Sequence, residues 1–349
     1  MKKKNIINLI KYYADKNDAG FKSESYEIAK EFSETGDEQL AEYIMALISG
    51  VNTFVPQTAE KELEFLKKID ITNDMLLLSD SITQDLLGIA NAVSRNVGIN
   101  KFLFQGVPGT GKTEASKQMA RILDRDIYIV DFSEIIDSKL GQTQKNIASL
   151  FDEISSFNMP EKKIVLFDEI DALALDRTNA NDVREMGRAT TAVLKGMDHL
   201  DSRVVLIATT NLFEHFDKAF MRRFDFIVNF NRYSQKDLMT IAEKILDTFL
   251  LKFKLANKDI RLFRKILSVL PQLPYPGELK NMVRTAVAFS AQDDGTEYFR
   301  RLYSIITGKE ANDLSELQKQ NFTIREMGIL TQKSKSTIAR ELKEVAINE

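Results

Sequence analysis

The sequence predicts an α/β fold: a phosphate-loop, five-stranded parallel sheet sandwiched by helices, with further helical segments on both sides of it. Three observations carry this. A strand–loop–helix stretch, KFLFQGVPGTGKT, runs from Lys101 to Thr113 and leads into the helix-forming EASKQMARIL. Short apolar runs then alternate with helical stretches up to about residue 230, the pattern of a parallel sheet with helical crossovers. Before and after that region, apolar residues recur at helical rather than strand spacing.

Residues 1–75 read as helices. Ile6, Leu9, Ile10 and Tyr13 recur at helical spacing, as do Tyr26, Ala29 and Phe32, then Leu40, Ala41, Ile44, Leu47 and Ile48. Asp18-Ala19-Gly20 and Thr35-Gly36-Asp37 punctuate them as turns. No catalytic cluster appears here. An oligomerisation cap and a docking domain for a partner both fit, and docking is the working assignment. Val51–Gln57, with Pro56, reads as a linker, and a helix from about Ser81 to Val97 leads into a central domain spanning residues 76–232.

The central domain opens on Phe102-Leu103-Phe104 and the loop Gly106-Val107-Pro108-Gly109-Thr110-Gly111-Lys112-Thr113. This is G-x-x-x-x-G-K-[ST] between a strand and a helix, the context that gives the motif its meaning. The glycines let backbone N–H groups close around a phosphate without a Cβ in the way, and the helix that follows points its positive end at the same anion. Lys112 is placed to reach the β- and γ-phosphates, and the Thr113 hydroxyl is a magnesium ligand. All eight loop residues are therefore candidates for binding a nucleoside triphosphate, with ATP and Mg²⁺ as the expected cofactors.

Ile127–Val130, Lys163–Phe167, Val204–Thr210 and Phe226–Val228 supply the other four strands. The active site of such a sheet lies at the carboxyl ends of its strands. Asp168 stands at one such end, as the second candidate metal ligand beside Thr113. Glu169 follows it as candidate general base for an attacking water, although an acid pair there also suits capping of the next helix. Asn211 closes another strand, where it is placed to bond the γ-phosphate or the water; an ordinary turn-forming Asn is the alternative. Arg222 and Arg223, in DKAFMRRFDF, are either a solvated pair or arginine fingers reaching a neighbouring subunit.

Composition sets further limits. Cysteine is absent, which excludes disulfides, thiolate catalysis and cysteine–zinc sites. The two histidines, His199 and His215, show no paired ligand spacing. A formal net charge of −3 gives no support for bulk nucleic-acid binding, though it leaves room for a local basic patch. No run approaches the ~18 apolar residues of a membrane span, and the expectation is a cytoplasmic protein without membrane contact.

In order and spacing, GVPGTGKT, VLFDEID, LIATTN and FMRRFD resemble an AAA-type (AAA+) ATPase over about residues 80–290. The resemblance implies a ring, usually of six subunits, with nucleotide at each interface, and a small all-helical lid, here residues 233–309. In Pro276-Gly277-Glu278-Leu279-Lys280 it implies a lid residue near the phosphates, so Lys280 is either a nucleotide sensor or a surface lysine. Ser138–Asn146 resembles the pore loop of the protein-remodelling branch, with Leu140 where an aromatic usually grips polypeptide and Gln142 where Glu is usual. Residues 176–185 form either a second pore-facing loop or a solvated surface loop.

The C-terminal tail, residues 310–349, resembles a helix-turn-helix. Ser334 or Ser336 is placed to cap its second helix, which offers Lys335, Thr337 and Arg340 outward and Ile338 and Leu342 inward. Glu326, Glu341 and Glu344 dilute that charge, so DNA and protein contact both remain open. Two functions follow. One is a ring ATPase remodelling or regulating a protein client, or an associated effector, through residues 1–75 and Leu140. The other is an ATP-switched DNA-binding regulator of transposition, loading or phage defence.

Overall fold

In the computed structural model, which describes residues 3–15, 17–34, 37–49, 63–71, 76–136, 142–173, 180–216, 218–253, 258–291 and 294–348, the central element is one mixed sheet. Its strands are β1 (Lys67–Ile69), β2 (Lys101–Gln105), β3 (Asp126–Asp131), β4 (Lys163–Asp168), β5 (Val205–Thr210) and β6 (Phe226–Asn229), in the spatial order β1-β3-β4-β5-β2-β6. The last five of these neighbours pair in parallel. Those are the five strands expected from the sequence. The expectation of a purely parallel, five-stranded sheet needs one correction, because β1 adds a sixth strand antiparallel to β3.

β1 lies in a stretch read as helical. Its charged FLKKID sequence lacks the alternation that marks a strand, and tertiary pairing decides it instead. Lys68 pairs with Asp126 at 2.9 Å and Lys67 with Glu134 at 2.6 Å, while Glu153 accepts from the backbone N–H groups of Glu64 and Phe65. Charged side chains on a short edge strand also discourage pairing with a second chain.

The chain divides into two compact units, residues 1–63 and 64–349. The first contains α1 (Lys3–Ala14), α2 (Asp18–Glu34) and α3 (Glu38–Ser49). Among its described residues the buried apolar ones are Ile28, Ala29 and Ala41, and Asn5–Glu31 and Asn8–Glu24 hydrogen bonds join α1 to α2. Ile7, Ile10 and Tyr13 remain exposed on α1.

In the second unit β5 is buried at every residue and β4 at all but its last, as the near-continuous apolar sequences of central parallel strands require. α4 (Asp80–Ser94) and α5 (Lys112–Leu123) cover one face, packing Ile82, Leu86, Ile89 and Met119 on Phe102, Phe104, Ile164 and Ile207. Ser79 caps α4, and the helix stops short of Val97 because Asn96 and Gly98 take positive φ. α6 (Phe132–Ile135), α7 (Gln142–Ser155), α8 (Ala180–Asp198) and the short α9 (Lys218–Met221) complete the sheet region.

Helices α10 (Gln235–Phe253), α11 (Ile260–Leu267), α12 (Pro276–Ala288) and α13 (Glu297–Thr307) follow the sheet. The tail forms α14 (Leu314–Lys319), α15 (Ile324–Thr331) and α16 (Lys335–Asn348). Phe322, Met327, Leu330 and Ile338 of the tail share a single apolar core with Leu246, Phe263, Val283 and Phe299 of the preceding helices.

Candidate functional site

The parallel pairing brings the carboxyl ends of β2, β4 and β5 side by side, and the loops leaving them meet. The Gly106 N–H donates to Thr210 O at 3.1 Å, tying the start of the phosphate loop to the end of β5. Gly109 (φ +79°) and Gly111 (φ +98°) take left-handed backbone that a side chain disfavours, and α5 begins immediately at Lys112.

The Lys112 ammonium is buried and donates to Gly106 O (2.6 Å), Val107 O (3.0 Å) and Asn211 Oδ1 (2.8 Å). These three acceptors match its three N–H donors. Burial pushes the Lys112 pKa below its ordinary value, while Asp171, Asp168 and Glu169 oppose that fall. The structure thus joins two residues selected independently, Lys112 and Asn211.

The Thr113 hydroxyl donates to Asp168 Oδ1 at 3.0 Å, and Thr209 Oγ1 donates to the same oxygen at 2.7 Å. A hydroxyl and one carboxylate, both hard oxygen donors, fit a Mg²⁺ ion that keeps most of its shell as water and phosphate oxygens. Among the described residues there is no cluster of three or more acids or histidines for a protein-only metal cage.

Glu169 takes φ +49° just past β4, donates its N–H to Thr209 Oγ1 at 2.8 Å, and exposes its side chain on the cavity wall. Asp171, two residues on, was not singled out from the sequence. It is buried and accepts from Thr210 Oγ1, from Asn211 N at 2.8 Å and from Leu212 N at 3.3 Å. The only sequence signal was a third acid in FDEID.

A cavity of about 320 Å³ opens beside Lys112, Thr113, Glu169 and Asn211. Its far wall is apolar: Leu76 and Leu77 before α4, with Ile241 and Ile245 of α10. Sequence reasoning missed this wall, because four aliphatic residues at ordinary helix and loop positions carry no motif. Lys280 on α12 is exposed and lines the same cavity. Three contacts hold the loop from outside: Asn231 Oδ1 accepts from Val107 N (2.9 Å), Tyr233 donates its hydroxyl to Thr110 O (2.8 Å), and Gly277 N donates to Gly109 O (2.8 Å).

The two arginines do not lie in that cavity. Arg223 is held by Asp198, with Nε and Nη2 each 3.1 Å from a carboxylate oxygen, and donates to Ala219 O. Arg222 is exposed, and no side-chain partner for it is found among the described residues. Leu140 and residues 137–141 around it lie outside the described residues, as do residues 176–179 of the second loop, whose residues 180–185 are the first turns of α8 rather than loop. Gln142 bonds Asn146 along α7. In the tail, Ser334, not Ser336, caps α16 by accepting from Thr337 N at 3.1 Å. Lys335 and Arg340 are exposed, Lys333 pairs with Glu341 at 2.6 Å, and Arg340 lies 3.9 Å from Glu344. Among the described residues no helix is long and apolar enough to cross a membrane.

Parallel strands that deliver a glycine-rich loop to a helix N-terminus, faced by a hydroxyl–carboxylate pair and an apolar cleft, define a phosphate-loop nucleotide-binding fold. Residues 102–232 match the family described as "ATPase family associated with various cellular activities (AAA)". The chain therefore carries an AAA ATPase domain over those residues.

The chain is 31% identical over 185 residues to an uncharacterized AAA family ATPase of Sinorhizobium fredii, covering 51% of this chain and 54% of that one. It is 30% identical over 167 residues to a putative 26S proteasome regulatory subunit homolog of Methanothermobacter thermautotrophicus, covering 47% and 44%. It is 36% identical over 135 residues to a proteasome-activating nucleotidase of Methanoregula boonei, covering 36% and 30%. The chain thus spans about half the length of these relatives, or less.

Proposed function

We propose that this protein is a Mg²⁺-dependent ATPase that works as a ring, usually of six copies, and couples hydrolysis to remodelling or regulating a protein partner. The observation that carries the reading is the meeting of Lys112, Thr113, Glu169 and Asn211 around one cavity at the strand ends, with Asp168 bonded to Thr113 behind it. The phosphate-loop amides and Lys112 bind the triphosphate, and the base lies against Leu76, Leu77, Ile241 and Ile245. Thr113 and Asp168 hold Mg²⁺, which supplies charge neutralisation at the phosphate oxygens. Glu169 accepts a proton from the attacking water, and Asn211 orients that water or the γ-phosphate. Arg222, exposed and without a side-chain partner among the described residues, serves as the finger offered to a neighbour, and Lys280 contacts phosphate from the lid.

Similarity to a proteasome-activating nucleotidase and to a proteasome regulatory subunit homolog favours a protein client over DNA. The in-chain pairing of Lys333 and the Glu344 beside Arg340 point the same way, since phosphate contacts from unpaired Lys and Arg dominate DNA affinity. The docking domain expected over residues 1–75 is confined in this reading to residues 1–63, because β1 pairs with β3 in the sheet; residues 76–232, 233–309 and 310–349 are the nucleotide domain, lid and tail. The test is ATPase rate per subunit against protein concentration, with and without duplex DNA. A rate that rises with concentration and ignores DNA supports the reading. A concentration-independent rate from a species that sizes as a monomer sinks the ring, and stimulation by DNA transfers the function to the ATP-switched DNA regulator.

A further inference from the structure

We infer that Tyr233 and Gly277 are positioning residues that aim the phosphate-binding amides of the loop, by holding the two carbonyls on the loop's outer side. The inference rests on the nucleotide site proposed above and concerns how its loop keeps its shape.

A trans peptide is planar, so the carbonyl of one residue and the N–H of the next point in opposite directions. Fixing a carbonyl therefore fixes the following N–H. The Gly109 carbonyl accepts from Gly277 N at 2.8 Å, which turns the Thr110 N–H away from the lid helix. The Thr110 carbonyl accepts from the Tyr233 hydroxyl at 2.8 Å, which does the same for the Gly111 N–H. Gly109 and Gly111 impose little restriction of their own, and the Thr110 hydroxyl on Val107 O (2.8 Å) restrains only the residue between them, so these two donors supply the fixed points on the outer side of the two planes.

Both donors are built for this contact. Tyr233 is half-buried and packs edge-on against Tyr275 with ring centroids 6.0 Å apart, so its hydroxyl is held on target. Burial raises its pKa well above the ordinary value, so it stays a neutral donor throughout the working pH range. Gly277 touches Gly109 backbone to backbone. A Cβ on Gly277 would lie 2.8 Å from Gly109 Cα and 2.9 Å from Gly109 O, closer than such atoms approach. The first turn of α12 reaches the loop only because position 277 has no side chain.

The test compares Tyr233→Phe, which removes one hydroxyl and keeps the ring, with Tyr303→Phe as a control. Tyr303 donates its hydroxyl to Gln320 at 2.9 Å within the lid and tail core, remote from the loop. ATP dissociation constants are measured by equilibrium binding, and kcat at saturating ATP, on the full chain. Tyr233→Phe is expected to weaken ATP binding about fivefold, the effect of one neutral hydrogen bond, with kcat within about twofold. Tyr303→Phe is expected to leave ATP affinity unchanged. Gly277→Ala is expected to weaken ATP binding more than Tyr233→Phe does. Unchanged ATP affinity in Tyr233→Phe, or an equal loss in Tyr303→Phe, overturns the inference. If the wild-type chain itself binds no ATP, the site assignment fails rather than the positioning role.

Discussion

Lys112 Nζ lies 2.8 Å from Asn211 Oδ1, a side-chain hydrogen bond across the site that adds to the Gly106 N–Thr210 O bond between the phosphate loop and the end of β5. The same ammonium is bonded to the Gly106 and Val107 carbonyls at 2.6 and 3.0 Å. In the proposed reading, a triphosphate would offer Lys112 a charged acceptor in place of Asn211, which would then be free to face the γ-phosphate or the water.

Replacing Lys112 with Ala removes the charge-assisted bond that the phosphates would gain. ATP binding is expected to weaken by about 100-fold or more, measured by equilibrium binding with the wild-type chain alongside. Undiminished affinity would remove Lys112 from the binding site.

Glu169→Gln keeps the shape of the residue and abolishes its basicity. Hydrolysis is expected to fall about 10²–10⁴-fold with ATP affinity retained, and the ATP-bound form should accumulate as the assembled ring on a sizing column. Wild-type turnover in this variant would reassign the base.

The two arginines should separate. Arg222→Ala is expected to cost about 10³-fold or more in kcat, as for a finger acting on developing charge. Mixing it with Glu169→Gln subunits should restore part of the activity at composite sites. Arg223→Ala breaks the pair with Asp198, a contact only partly shielded from solvent. Its effect should be a stability loss of no more than about 1 kcal/mol, read by urea denaturation. Equal kinetic defects in the two variants would contradict this division.

Asp171→Ala leaves the Thr210 hydroxyl and the N–H groups of Asn211 and Leu212 without their acceptor. A loss of about 2 kcal/mol or more is expected from stranding buried donors, together with a lower kcat as Asn211 loses its anchor. Asp171→Asn keeps one acceptor oxygen and should be milder in both respects. The urea midpoint and the saturated ATPase rate report the two effects separately.

Cutting the chain after residue 309 should destabilise the lid. Phe322, Met327, Leu330 and Ile338 are buried among lid residues, and each large apolar side chain lost from a core costs about 2–5 kcal/mol. A truncated chain that melts at the wild-type temperature would make the tail an independent module.

The phosphate loop, the acid pair and the five parallel strands were legible in the sequence because their chemistry is local. A left-handed loop demands glycines at set spacings, a buried parallel strand demands an unbroken apolar run, and both leave their mark within a dozen residues. The first helix after the sheet, α10, was legible by the periodicity of Leu238, Ile241, Ile245, Leu246 and Phe249. Asp171, the apolar wall of Leu76, Leu77, Ile241 and Ile245, and the Tyr233 and Gly277 contacts were not, because none has a local pattern distinct from ordinary helix, loop or surface residues. They gain meaning only when the sheet's crossovers and the lid bring segments more than 100 residues apart into contact, as Thr110 and Tyr233 are.

The sequence alone therefore determined the strand–loop–helix motif and the family of its nucleotide-binding domain, because that pattern is local. Tertiary structure decided which neighbours aim those residues. It made the charged segment at Lys67–Ile69 an edge strand, through Asp126 and Glu134. It also tied Arg223 to Asp198 and left Arg222 outward, a distinction two adjacent arginines cannot carry in sequence because it depends on which one faces α8.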